Sequence, residues 1–104
     1  MSNETIELSE EAFARYQDKT FRVSREGMET LAMVLVDVKS LTSSQSLPDH
    51  IRQDPFSLTF RGPVEPALPQ GACAVTAEDG RYVDLFLVPI TLEPDGLYYH
   101  VVIN

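Results

Sequence analysis

The fold is decided by residues 82–103, YVDLFLVPITLEPDGLYYHVVI, in which two alternating segments flank the turn sequence Pro94-Asp95-Gly96. In the first segment Val83, Leu85 and Leu87 occupy one face, while Tyr82, Asp84, Phe86 and Val88 occupy the other. This two-residue period is typical of a β-strand. The glycine of the turn accepts the positive φ that tight turns require. The stretch therefore predicts a β-hairpin.

Similar strand-like segments lie on the N-terminal side of this hairpin. Asp79-Gly80 stands between two alternating runs and is a typical two-residue hairpin turn. Closure of a small sheet removes its exposed edges and leaves one buried face. We therefore predict a mainly β protein, a single small antiparallel β-barrel or curled sheet of about six strands. The predicted strands are residues 20–25, 30–38, 56–60, 73–76, 82–88 and 97–103.

Two further segments complete the single domain that we predict over residues 1–104. Residues 9–16 predict a short N-terminal helix, because Ser9 can cap its free amides and two glutamates follow at the positive end of the helix dipole. Residues 40–54 are rich in serine and predict a long loop. Loops of this length are usually functional or poorly ordered, and both interpretations stay open.

Composition excludes several classes of partner. Sixteen acidic and eight basic residues give a formal net charge of -8. Such a surface repels phosphate backbones and anionic lipid, so we expect no nucleic acid and no membrane partner. No apolar run approaches the ~20 residues that span a bilayer, and the N-terminus lacks a signal-peptide pattern, so we expect a cytoplasmic protein. The lone Cys73 predicts a buried thiol in a reducing compartment.

No motif supplies a catalytic or cofactor centre. The chain contains no glycine-rich phosphate loop, no Cys-x-x-Cys and no nucleophile elbow. His50 and His100 lie in a predicted loop and in the terminal strand, and no spacing between them indicates a shared catalytic site. Asp49 and Asp54 near His50 could form a weak metal site, but solvated loop residues are the favoured interpretation. We therefore predict no enzymatic activity, no cofactor and no metal.

An aromatic pair marks the outer face of the predicted strand 82–88. With Val83, Leu85 and Leu87 buried, Tyr82 and Phe86 would form an exposed strip, and such strips often mark protein interfaces. The alternative is that aromatic residues of the N-terminal helix, Phe13 and Tyr16, cover the strip. Both interpretations stay open.

Several short motifs resemble a family of small bacterial proteins catalogued as a domain of unknown function. They are FSLTFRGP at 56–63, LPQG at 68–71, LFLVPI at 85–90 and the terminal DGLYYHVVIN at 95–104. The resemblance implies a one-domain bacterial protein without an established activity, and at most an accessory or assembly role in a phage-tail-like system. Within these motifs, neither a turn nor a core requires Arg61 or Gln70. Both could hydrogen-bond backbone carbonyls or contact a ligand.

Three functions from different classes follow. The leading hypothesis is a non-catalytic protein-interaction or assembly-accessory module with a protein partner, and it leaves homo-oligomers open. Its candidate surface comprises Tyr82, Phe86, His50, Arg61 and Gln70. The first alternative is a small barrel that binds an apolar ligand in a cavity lined by residues such as Leu35, Phe60 and Leu87. The second is an enzyme that uses Asp84, His100 and Tyr98.

Overall fold

A computed structural model describes residues 4–40 and 55–103. Six antiparallel strands close into a barrel in the order β1-β2-β3-β6-β5-β4, and β1 and β4 complete the closure. The prediction of a mainly β barrel with one short helix is confirmed. The elements are α1 (Glu10–Ala14), β1 (Thr20–Ser24), β2 (Leu31–Ser40), β3 (Phe56–Gly62), β4 (Gly71–Ala77), β5 (Tyr82–Glu93) and β6 (Gly96–Ile103).

Every element differs somewhat in length from its prediction, and two of the differences have a local cause. Helix α1 is shorter than residues 9–16, because Ser9 is its N-cap and accepts a hydrogen bond from the Ala12 amide at 3.2 Å. After the helix the chain turns, and Asp18 adopts a positive φ of 69°. Strand β5 continues past Pro89 because the register shifts between Pro89 and Thr91. A bulge is one of the few places where a strand accepts proline.

Part of the candidate surface lies outside the described residues. Ser40 ends β2, and the rest of the predicted loop 40–54 falls in residues 41–54. His50, and the weak metal site that it could form with Asp49 and Asp54, therefore lie outside the described residues.

Side chains fill the middle of the barrel. Phe21 and Phe60 are fully buried and meet edge to face, with ring centroids 5.5 Å apart. Leu35 and Leu87 belong to the same continuous core and are also fully buried. A barrel with few strands has an interior just wide enough for side chains. The residues named for a ligand cavity thus pack in the core.

Different segments cover the two ends of the barrel. At one end Phe13 of α1 is fully buried and lies 5.9 Å from the ring of Phe56. At the opposite end the connector between β3 and β4 buries Leu68, whose amide donates to the Tyr99 hydroxyl at 2.8 Å. Burial raises the pKa of Tyr99. The end coverings leave the outer wall of the barrel as the surface available to a partner.

Candidate interaction surface

Exposed apolar side chains concentrate on two neighbouring strands. Among the described residues, the exposed large hydrophobic side chains are those of Met28, Val64, Phe86, Ile90, Leu92 and Val102. Four of these lie on β5 or β6. The alternation of side chains along β5 explains why Phe86 is exposed, because Leu85 and Leu87 on either side of it point into the core. In the described part of the chain, β5 and β6 therefore carry most of the exposed large apolar side chains.

We call Phe86, Val88 and Val102 the outer strip. Val88 pairs with His100 across the seam between β5 and β6. Phe86 lies two residues before Val88, and Val102 lies two residues after His100. Both therefore share the outer face with that pair. The Phe86 side chain is 54% exposed and Val102 is 50% exposed. On the other side of β5, Phe86 pairs with the small Ala72 of β4, which leaves the ring uncovered.

The N-terminal helix does not cover Phe86. Phe13 packs against Phe56, and Tyr16 packs edge-on against Phe21 at 5.5 Å. These contacts direct the aromatic side chains of the helix toward the end of the barrel. Of the two interpretations that the sequence left open, the exposed ring is therefore the one observed for Phe86.

Tyr82 differs from Phe86 in its surroundings. Thr5 forms a parallel bridge with Tyr82, supported by hydrogen bonds from the Ile6 amide to the Tyr82 carbonyl at 2.8 Å and from the Tyr82 amide to the Glu4 carbonyl at 3.0 Å. Tyr82 is half-buried. The predicted aromatic strip is thus divided: the N-terminal segment occupies the strand edge at Tyr82, and Phe86 stays open.

The hairpin of β5 and β6 extends the apolar surface past β4. Pairing between β4 and β5 ends at Gly71 and Leu87, whereas pairing between β5 and β6 continues to Glu93 and Gly96. Two apolar residues of this projecting arm are exposed, Ile90 at 53% and Leu92 at 63%. Leu92 pairs with the buried Leu97 and so lies on the opposite face of the arm from the outer strip.

Arg61 is engaged with the turn of this hairpin. Its Nη1 lies 3.8 Å from Asp95 Oδ2, and the Tyr98 hydroxyl donates to the same oxygen at 2.9 Å. The hydrogen bond to Asp95 raises the pKa of Tyr98. Arg61 therefore contacts the turn carboxylate, a partner that was neither of the two considered from the sequence, backbone carbonyls and a ligand.

Gln70 lies close to the outer strip along the register. It is exposed and directly precedes Gly71, which pairs with Leu87 of β5. The fold thus brings Gln70 and Phe86 to one region, and it places Arg61 at the hairpin turn. Tyr82 lies near the opposite end of the barrel.

Sequence reasoning missed the contacts of Arg25. Its Nη2 donates to the Pro69 carbonyl at 2.7 Å and lies 3.3 Å from Cys73 Sγ. Cys73 is 3% exposed, which confirms the predicted buried thiol. A Cβ on Gly71 would lie 2.7 Å from the same Nη2. Gly71 indicated that another group packs closely against the backbone, but no local sequence feature identified Arg25 as that group.

A groove lies between α1 and the N-terminal segment. This open groove has a volume of about 690 Å³ and is lined partly by Glu4, Tyr16 and Arg81. Three of its polar side chains are paired: Arg81 Nε lies 3.3 Å from Glu4 Oε1, and the Tyr16 hydroxyl donates to Asp79 at 2.7 Å. These contacts tie the helix and the N-terminal segment to the turn between β4 and β5.

We expect Asp79→Asn to destabilise the protein at neutral pH and to lose that effect in acid. The Arg81 amide donates to Asp79 Oδ1 at 3.0 Å, and this bond and that from Tyr16 hold the pKa of Asp79 below its ordinary value of 3.8. A lowered folded-state pKa contributes stability above the unfolded value, and this contribution is lost as the pH falls through the folded value. Urea unfolding at neutral pH, and at a pH below the pKa of Asp79 in the folded protein, measures the change in the free energy of unfolding.

Glu78→Gln removes a neighbouring exposed carboxylate and serves as the control. We expect little change from it at either pH. A destabilisation by Asp79→Asn that is the same at both pH values would show that the charge of Asp79 contributes nothing.

The residues proposed for catalysis do not converge. Asp84 pairs with Ala74 of β4, whereas Tyr98 pairs with Thr91, seven residues further along β5. At ~3.3 Å per residue, Asp84 and Thr91 are separated by roughly 20 Å of strand. Within residues 4–40 and 55–103, no three His, Cys, Asp or Glu side chains are grouped to hold a metal ion. In the same ranges, no helix has the length and apolar character needed to cross a membrane.

The fold and its exposed face define a class: small closed β-barrel domains with a helix at one end and an apolar strip on the outer wall. The family model described as Domain of unknown function (DUF6916) matches residues 8–103, and the chain belongs to this family. The matched region includes α1 and all six strands. The resemblance to a domain of unknown function is thereby confirmed. No curated protein and no solved structure matches the chain.

Proposed function

We propose that the chain is a non-catalytic protein-interaction or assembly-accessory module that binds a protein partner through the outer strip. The observation that carries the proposal is the exposed ring of Phe86, on a strand whose alternate side chains fill the core. Aromatic residues contribute disproportionately to binding at protein interfaces. The sequence resemblance suggests a bacterial, phage-tail-like assembly as the setting.

The barrel wall favours binding by a preformed surface. Phe86 and Val102 lie on strands that pair with neighbours on the barrel, so little backbone has to be ordered when a partner binds. Association loses less free energy when the binding surface is already ordered. Asp84 lies seven residues along β5 from Thr91, the partner of Tyr98 on β6, and this separation supports a binding role over a catalytic one.

The experiment compares partner capture by three full-length proteins: the wild type, Phe86→Asp and the control Val64→Asp. Val64 is an exposed aliphatic residue of the connector, at 45% exposure, and lies outside the outer strip. Each protein is immobilised and incubated with lysate of the native host, and bound proteins are quantified by mass spectrometry. We expect Phe86→Asp to reduce capture of a specific partner by at least about tenfold, which corresponds to about 1.4 kcal/mol.

Val64→Asp should retain the partner. Thermal unfolding of all three proteins establishes that the substituted proteins are folded. Equal capture by the wild type and Phe86→Asp would contradict the proposal, as would equal loss in both variants.

A further inference from the structure

The strands that carry the outer strip contain no lysine or arginine, and His100, which pairs with Val88, is their one imidazole side chain. The sequences of β4, β5 and β6 contain neither lysine nor arginine. Their charged residues are Asp84 and Glu93, and the turn between β5 and β6 adds Asp95. All three carboxylates are exposed. Asp84 therefore places a negative charge two residues from Phe86 on the outer face of β5, and Glu93 lies further along the same strand.

Arginines near this face are occupied or distant, and the exposed Lys39 of β2 lies two strands from Val102, across Ser57 of β3. Arg61 pairs with Asp95, and Arg25 donates to the connector carbonyl of Pro69. Arg22 of β1 lies opposite Thr76, toward the far end of β4. Within the described residues, neither Asp84 nor Glu93 has a lysine or arginine partner. These two carboxylates thus remain available to charges on another molecule.

We infer that the partner presents an apolar surface flanked by lysine or arginine side chains. This inference rests on the proposed function and specifies the partner's chemistry. Complementary rim charges favour encounter and select among partners. A second copy of the chain fits poorly, because each copy carries a formal net charge of -8 and would repel the other.

The test uses two synthetic peptides that contain the same apolar residues. In one peptide these residues alternate with lysine, and in the other they alternate with glutamate. Each labelled peptide is titrated with the full-length chain and followed by fluorescence anisotropy. We expect the lysine peptide to bind at least about tenfold more tightly at low salt, with the difference shrinking at about 1 M salt, where the screening length falls to about 3 Å.

Three variants locate the binding. Phe86→Ser should weaken the lysine peptide by about tenfold, and Asp84→Asn should weaken it by about threefold, the upper range for one exposed charge pair. Glu29→Gln removes an exposed carboxylate from the segment before β2 and should leave binding unchanged. Equal effects of Asp84→Asn and Glu29→Gln would show diffuse attraction to an acidic protein and would overturn the inference.

The remaining outcomes separate this inference from the proposed function. Equal binding of both peptides, lost in Phe86→Ser, would overturn the charge preference and leave the strip as a binding surface. Binding of neither peptide would also overturn the inference, while Phe86-dependent capture from lysate tests the function independently. Self-association that Phe86→Ser abolishes, measured by sedimentation, would replace the basic partner with a second copy.

Discussion

Replacing Phe60 with alanine is expected to lower the free energy of unfolding by about 3–5 kcal/mol. The ring is fully buried and meets Phe21 edge to face at 5.5 Å, with an interplanar angle of 86°. The substitution removes apolar contacts and leaves a cavity in the middle of the barrel, which neighbouring strands cannot fill without breaking their pairing. Small domains have a total stability of about 5–15 kcal/mol, so this loss is a large part of it.

Phe86→Ala is the matched control, because it removes the same ring from the outer wall. Phe86 is 54% exposed, so we expect a loss below about 1 kcal/mol. Urea unfolding of both purified variants measures the difference. Similar losses at the two positions would mean that the inward and outward faces are misassigned.

Gly96→Ala is expected to cost about 3 kcal/mol or more, because it combines backbone strain with a steric clash. Gly96 has a φ of 154°, and a Cβ there would lie 2.5 Å from the Gly62 carbonyl oxygen and 2.8 Å from Arg61 Cγ. Gly62 pairs with Leu97 on β6, so its carbonyl cannot move without disturbing the sheet. We expect a large drop in the melting temperature.

Gly80→Ala separates the two contributions. Gly80 also has a positive φ, 94°, but a Cβ there would meet no heavy atom within 4 Å. We expect only the conformational cost, about 1–2 kcal/mol. If Gly80→Ala proved as damaging as Gly96→Ala, the close approach of β3 and β6 at Gly96 would not be the cause.

The two-residue period predicted the strands because it records which side chains face the core. Val83 and Leu85 are buried on the predicted face of β5. The end of β5 could not be predicted from this period, since Pro89 normally interrupts a strand. Only pairing with β6 across a bulge keeps the strand continuous.

The candidate surface was less predictable because it depends on contacts between distant parts of the chain. Alternation alone predicted that Phe86 faces outward. The direction in which α1 packs could not be read from its sequence, because Phe13 contacts Phe56, far along the chain. The same holds for Arg61, whose partner Asp95 lies in a different hairpin.

The measurement that tests the central claim most directly is hydroxyl-radical footprinting of the full-length chain, free and in complex with its captured partner. The claim is that the outer wall of β5 and β6 binds the partner. It predicts that labelling of Phe86 falls on binding, while labelling of the exposed Met28 in the turn between β1 and β2 stays unchanged. Unchanged labelling of Phe86 with protection of Met28 would contradict it.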